Sequence, residues 1–382
     1  MHTVSIEKVE SYDPLLVRTS LIRLLEPLGG IAAFVNPGER VLIKPNMLSA
    51  KAPEAAVTTH PALLAAVIEL VQGAGGIVLV GDSPGIGSLK AVARKSGMLE
   101  VIEASGAELV EFSEVREASS PGFFKRFEIA VPYLDADRII NLPKLKTHEM
   151  MTLTCGVKNL FGVVVGAAKP AWHLQAGDDR NLFARMLLEL YQIRIPDLTI
   201  VDGIVAMEGA GPGSGDPCHL GLLLAGTNPV AVDVLAGEIV GIPKKLLYVE
   251  REAERLGIPG SDRSTIATVG FPLAALSVRP FVLPPISDVQ FGLPPFLKKH
   301  LRHQLTSRPV VMSDKCCLCE ICLKACPPGA MSVKKGRIRV DYQHCIRCFC
   351  CRELCPEAAL ELRKGLLLRL FEGRRNKFAR ER

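Results

Sequence analysis

Along the first 280 residues, short apolar runs alternate with stretches whose apolar positions recur at helical spacing. "RVLIKPN" reads as a strand ending at Lys44-Pro45-Asn46. "HPALLAAVIELVQ" reads as the next helix, with Thr59 as N-cap and Pro61 in the first turn. "GIVLVGDSPGIG" is a strand entering a glycine-rich loop, and "SLKAVARKSGMLEVIEAS" is the helix that follows. "DADRIINLPK", "DLTIVDGIVAMEG" and "HLGLLLAG" continue as strands, with helices near Asn181 to Arg194 and Pro229 to Val240. This βαβ alternation predicts an α/β domain over residues 1–278. It is expected to be a mostly parallel sheet with helices on both faces, and its ligand belongs at the C-terminal ends of the strands.

The periodicity then stops. Between Arg279 and Pro309 there are six prolines and little pattern, so residues 279–310 read as a proline-rich linker. Residues 311–362 form a compact cysteine-rich unit, and residues 363–382 a basic tail. At 382 residues the chain has length for two or three domains, in keeping with this division.

Cysteine spacing changes the picture most. Of twelve cysteines, ten lie between Cys316 and Cys355, a clustering that in a cytosolic chain points to metal rather than disulfides. "CCLCEICLKACP" and "CIRCFCCRELCP" both fit C-x2-C-x2-C-x3-C-P, the bacterial ferredoxin run in which the fourth cysteine crosses to the other cluster. The crossing rule gives Cys316, Cys319, Cys322 and Cys355 for one 4Fe-4S cluster, and Cys345, Cys348, Cys351 and Cys326 for a second. "AMSVKKGRIRVD" between the halves reads as a hairpin, so a small α+β ferredoxin-like domain is expected. Two four-thiolate zinc sites are the alternative, but they leave the x2-C-x3-C-P tails unexplained. Cys317 and Cys350 fall outside the register and read as small apolar residues packed beside the clusters.

Charge excludes one class of partner. The net charge of +6 resides in the tail from Arg363 to Arg382, where eight Lys/Arg face two Glu. A nucleic-acid binder would spread basic residues over a domain face, so no nucleic-acid partner is expected. The tail also carries Leu366, Leu367, Leu368, Leu370 and Phe371, a pattern suited to peripheral contact with an anionic membrane or an acidic partner, or to a frayed terminus. The N-terminus has no apolar signal region, and no apolar run nears the roughly 20 residues that span a bilayer. The expectation is a cytoplasmic protein.

Six motifs in order carry a family resemblance: "KPN" (Lys44 to Asn46), "GDSPG" (Gly81 to Gly85), "NLPKLKTH" (Asn141 to His148), "GVKNLFG" (Gly156 to Gly162), "EGAGPGSG" (Glu208 to Gly215) and "NPVAVD" (Asn228 to Asp233). Together they resemble the family catalogued as domain of unknown function 362, over roughly Val41 to Gly241. The resemblance implies an α/β domain often joined to a 4Fe-4S module, and it brings no settled activity.

Read physically, most of these motifs end strands and would converge on one sheet edge. Lys44, Asn46, Asp82, Ser83, Glu208, Gly209 and Gly211 are candidates for holding a small anionic ligand, a carboxylate or phosphate, with glycines and backbone amides close to it. His148, Lys146, Lys158 and His173 are candidate catalytic groups, the histidines for proton transfer near neutral pH. A lone histidine is more often structural, and "GDSPGIG" lacks the Walker Lys-Ser/Thr, so a tight turn explains it equally well. Cys155, near His148, reads as a buried inert thiol, and Cys218 has no assigned role.

The expectation is an iron-sulfur oxidoreductase component. Its two 4Fe-4S clusters relay electrons between a redox partner protein and a small anionic substrate on the α/β domain. The alternative is a non-catalytic electron carrier whose α/β domain docks a partner. Convergence of Lys44, Lys146, His148, Lys158 and Glu208 in one cleft separates the two.

Overall fold

The structure, a computed structural model, describes residues 1–166, 168–177, 179–276, 280–284 and 307–363. Most of the linker and the basic tail beyond Arg363 lie outside the described residues.

A ten-stranded sheet organises residues 1–276. Its strands are β1 (His2–Lys8), β2 (Arg40–Pro45), β3 (Ile77–Val80), β4 (Glu108–Leu109), β7 (Arg138–Leu142), β8 (Lys144–His148), β9 (Thr152–Thr154), β10 (Leu198–Glu208), β11 (Asp216–Gly226) and β12 (Ile266–Gly270). A separate hairpin of β5 (Val115–Ser119) and β6 (Arg126–Ala130) accompanies it. The main order is β12-β1-β11-β10-β7-β2-β3-β4, and β8 joins the far half of β10. Only β9 and β11 run against the others in this sheet, so it is mostly parallel, as expected. The reversal at β11 follows from the short glycine-rich link Gly209 to Gly215, which permits only a hairpin.

Alternation along the strands builds two apolar layers. Val41 and Ile43 face a core with helices α1 (Pro14–Leu25), α2 (Pro61–Gly73), α3 (Leu89–Lys95) and α4 (Met98–Ser105). Leu42 and Ile139 face the opposite core with α5 (Val131–Asp135), α6 (Gly156–Asn159), α7 (Ala168–Ala176), α8 (Arg180–Ile193) and α10 (Tyr248–Arg255). Helix α9 (Pro229–Ile239) packs under β1 and β11. Both faces are therefore covered, which explains why the central strands are apolar at consecutive positions.

Two local expectations need correction. The N-cap of α2 is His60, whose Nδ1 accepts from the Ala62 N–H. Thr59 is occupied elsewhere: its hydroxyl accepts from Asn46 N at 2.8 Å and donates to Leu142 O at 2.6 Å. "SLKAVARKSGMLEVIEAS" is two helices, broken at Gly97, whose φ of +72° ends α3 and starts α4.

Residues 307–363 form a small α+β unit with internal pseudo-symmetry. β13 (Arg308–Val311) pairs with β16 (Leu360–Arg363), and β14 (Met331–Lys334) with β15 (Arg337–Val340). Helices α11 (Ile321–Lys324) and α12 (Cys350–Glu353) occupy equivalent places. Leu318 and Glu320 before α11, and Arg347 and Phe349 before α12, all adopt left-handed backbone. The repeated conformation winds each cysteine run into the same tight loop.

Candidate functional site

The floor of the site is laid by the ends of β2, β3 and β8. Lys44 is fully buried and pairs with Asp82 at 2.8 Å. Burial pushes the ammonium toward neutrality and the Asp82 carboxylate opposes that. Asp82 also accepts from Met47 N at 2.8 Å and Ser83 N at 2.9 Å. Gly162 is a glycine of necessity here, since a Cβ would stand 2.0 Å from Asp82 Oδ1 and 2.6 Å from Lys44 Nζ. Lys44 thus lies beneath the site and holds Asp82, which reaches into it.

Lys144, Lys146 and His148 alternate along β8 and share a face. Lys144 is consumed by Asp202 (3.0 Å) and Tyr12 (2.8 Å). Lys146 meets only neutral acceptors, Asn46 Oδ1 at 2.9 Å and Val57 O at 2.7 Å. Burial lowers its pKa to about 7, with Glu353 the main opposing charge.

His148 is held by its own turn. Its Nδ1 accepts from Met150 N at 3.0 Å and Met151 N at 3.2 Å. A ring nitrogen receiving two N–H donors carries no proton, so the proton sits on Nε2. That atom is buried without a hydrogen-bond partner and lines the cavity described below. Burial, reinforced by Lys158, holds the ring neutral. His148 is therefore an N–H donor rather than the general acid or base its sequence context suggested. His173 lines the same cavity, stacked on Phe183 at 4.3 Å, with Nδ1 unpartnered and a pKa lowered by burial to about 3.

Helix α6 aims Lys158. The Asp233 carboxylate takes the N–H groups of Gly156 (2.6 Å) and Val157 (2.9 Å), fixing the helix start. Asn159 bonds Asn46 (2.9 Å) and Asn141 (2.8 Å), fixing its end. Lys158 has no hydrogen bond or ion pair among the described residues, and its Nζ lies 5.8 Å from the Phe161 ring centre. It is only partly accessible, through the cavity it lines, and burial lowers its pKa against the pull of Glu353.

The C-terminal unit closes this floor into a cavity of about 790 Å³. Its wall is Lys324, Cys326, Cys350, Glu353 and Leu354, facing Asn46, Asp82, Ser83, Lys146, His148, Thr154, Lys158, Lys169 and His173. The seam is polar and close. Lys51 Nζ donates to Pro356 O at 2.8 Å, Glu149 pairs with Arg352, and Glu353 Oε2 lies 3.7 Å from His148 Nε2.

Two small cavities inside the C-terminal unit each present four thiols. One is lined by Cys316, Cys319, Cys322 and Cys355, the other by Cys326, Cys345, Cys348 and Cys351. Cys317 also touches the first, and Cys350 faces the large cavity instead. The walls are otherwise largely apolar, and the thiols of Cys326 and Cys355 accept from Ala330 N and Ala359 N at 3.2 and 3.3 Å. Among the described residues no three ligating side chains stand close enough for a single ion. Four soft thiol donors at each cavity are compatible with a bound metal cluster. The donor set fits the group.

Several predicted residues lie elsewhere. Glu208 accepts from Val282 N at 2.8 Å, Gly209 donates to Val282 O at 2.6 Å, and neither lines the cavity. Gly211 is pressed against β8, where a Cβ would sit 2.2 Å from Thr147 O. Only Pro212 of that loop reaches the cavity. Backbone amides are spent as well: Ser83 N on Gly162 O, Gly85 N on Leu48 O, and the start of α6 on Asp233. Cys155 is buried beside Asp233, which with burial drives its thiol pKa up, and Cys218 is a core residue of β11. Sequence reasoning missed Thr154, Lys169, Lys324 and Glu353. Lys169 follows "VVVGAA", an apolar setting in which a solvated lysine is out of place and which could have pointed to it, but nothing local to Glu353 showed where α12 docks.

A family profile described as "Domain of unknown function (DUF362)" matches residues 41–238. A thylakoid-associated protein of Synechocystis sp. is 42% identical over 305 residues, covering 79% of this chain and 94% of its own. Among solved structures, the lactate racemase apoprotein of Thermoanaerobacterium thermosaccharolyticum aligns at TM-score 0.42 and 12% identity, over 62% of this chain and 56% of that one. A Thermotoga maritima protein aligns at TM-score 0.40 and 10% identity, over 60% and 58%. The chain thus spans under two thirds of the length of each solved structure.

Proposed function

This chain belongs to the DUF362 family, and from that premise we propose that it is an iron-sulfur protein that passes electrons to an anionic substrate held between its two units. The C-terminal unit, ferredoxin-like in this reading, holds one 4Fe-4S cluster on Cys316, Cys319, Cys322 and Cys355, and a second on Cys345, Cys348, Cys351 and Cys326. When bound, such clusters supply single electrons.

One observation carries the proposal. Cys326 lines both its four-thiol cavity and the large cavity, so the second ligand set borders the substrate space directly. The chain's own residues do the rest. Lys158 and the His148 Nε2–H face the substrate as donors, and Asp82 is fixed by Lys44 at the floor. Lys146, with a pKa near 7, and Lys169, lowered by burial to about 8, can each hold or release a proton near neutral pH. Convergence of Lys146, His148 and Lys158 on one cavity favours a substrate site over a surface that only docks a partner. A redox partner is assigned to the other cluster, where Cys317 and Cys319 are exposed.

Among the described residues no helix is long and apolar enough to cross a membrane. We place the protein in the cytoplasm, with the basic tail as a contact for an anionic membrane, in keeping with the thylakoid association of the Synechocystis relative. Anaerobic purification with iron and sulfide analysis tests the reading, together with mass spectrometry of any retained small molecule. About eight irons per chain are expected. Iron near zero with zinc in its place would overturn it.

A further inference from the structure

If the large cavity is the substrate site, its unsatisfied donors define what it takes. His148 is 1% exposed, yet its Nε2–H, aimed into the cavity, has no acceptor. Lys158 Nζ borders the same space without a hydrogen-bond acceptor among the described residues. Thr154, buried and cavity-lining, has an unpartnered hydroxyl. A half-buried cation and a buried N–H donor without acceptors are costly, and an anionic oxygen relieves both.

The source of that oxygen can be narrowed. Phosphate sites are commonly built from backbone N–H groups at glycine loops and helix starts. Here those of Ser83, Gly85, Gly156 and Val157 are already bonded within the protein. The unpartnered donors named above are side chains, and much of the lining is hydrocarbon: Leu48, Ile86, Phe161, Pro170, Ile321 and Leu354. Such walls suit a carbon body. The protein itself shows what approaches the donors, because the Glu353 carboxylate stops 3.7 Å from His148 Nε2, too far for a hydrogen bond.

We propose that the cavity takes a carboxylate-bearing organic molecule, received by the His148 Nε2–H and Lys158 Nζ, and that Glu353 of the cysteine-rich unit competes with it for those donors. The unit that would bring electrons thereby also sets affinity for the substrate. This rests on the reading of the cavity as a substrate site and names its substrate class.

The test is calorimetric titration of full-length, anaerobically purified protein with benzoate, its neutral counterpart benzyl alcohol, and inorganic phosphate. Benzoate is expected to bind about tenfold more tightly than either. Glu353→Gln should tighten benzoate further by about tenfold, because it removes a like charge at near contact. Lys158→Met should abolish the preference over benzyl alcohol. The proposal is overturned if benzyl alcohol or phosphate binds as well as benzoate, if benzoate does not bind, or if Glu353→Gln leaves its affinity unchanged or weaker. Should Lys158→Met fail to fold, the wild-type comparison and Glu353→Gln still decide. Iron is measured on the same samples. Failure with full iron content sinks this inference alone, whereas absent iron sinks the electron-transfer reading.

Discussion

His148 Nε2 and Glu353 Oε2 face each other at 3.7 Å across the seam between the sheet domain and the cysteine-rich unit. One brings a neutral N–H donor from β8 and the other a carboxylate from α12. Lys146 and Lys158 both have Glu353 as their foremost opposing charge, so the site's electrostatics are divided between units far apart in sequence. Neither unit alone has this site.

Burial of His173 as a neutral ring makes stability depend on pH. Its pKa falls from 6.5 to about 3 because the charged ring would be desolvated against Phe161 and Phe183. A folded-state pKa below the unfolded one means that the unfolded chain binds the proton first. The contribution is therefore full above pH 6.5 and is lost as pH falls from there toward 3. Denaturant melts of wild type and His173→Gln should show the gap in stability between them shifting against wild type by about 2 kcal/mol from pH 7.5 to pH 5. A gap that does not move with pH would show that the ring is not held neutral.

The Lys44–Asp82 pair predicts a double-mutant result. Asp82→Asn leaves the fully buried Lys44 without its carboxylate, at a cost of about 3–5 kcal/mol by chemical denaturation. Lys44→Met with Asp82→Asn should recover part of that loss, since no uncompensated charge remains. Strict additivity of the two substitutions would argue that the pair is not coupled.

Much of this site was legible in the sequence. Strands ending at Lys44-Pro45-Asn46 and Asp82 sit side by side in a parallel sheet, so motifs distant in the chain meet at one edge, as alternation predicts. Cysteine spacing likewise sorted the thiols into the two groups that line the two small cavities. The glycine-rich loop misled because "KLKTH" is itself a strand. It pairs with β10, and Gly211 is packed against it rather than against a ligand. Glu353 was invisible for a different reason: docking of α12 over β8 is tertiary, and a glutamate between two cluster-type cysteines looks local.

The docking seam can be opened without touching a ligand group. A Cβ on Gly213 would stand 2.5 Å from the backbone oxygen of Glu353, and backbone cannot swing aside as a side-chain tip can. Gly213→Ala should lift the cysteine-rich unit while leaving iron content intact. Hydrogen exchange is expected to rise at residues 350–354 and around Lys51, whose Nζ bonds Pro356 O at 2.8 Å. Unchanged exchange there would mean that the seam is not a close contact in solution.

On the proposed reading Cys326 ligates a cluster, whereas Cys350 only neighbours one. Cys350 is buried and lines the large cavity; it hydrogen-bonds Cys348 but is not among the thiols that line the second small cavity. Cys326 lines both cavities. On that reading Cys350→Ser should keep about eight irons per chain, whereas Cys326→Ser should drop to about four by losing the cluster proposed to border the large cavity. Electron paramagnetic resonance of the reduced proteins checks the same point, since coupling between two clusters should persist in the first variant and vanish in the second. Loss of iron from Cys350→Ser with retention in Cys326→Ser would require Cys350 in the ligand set and would move the second cluster nearer the lysines.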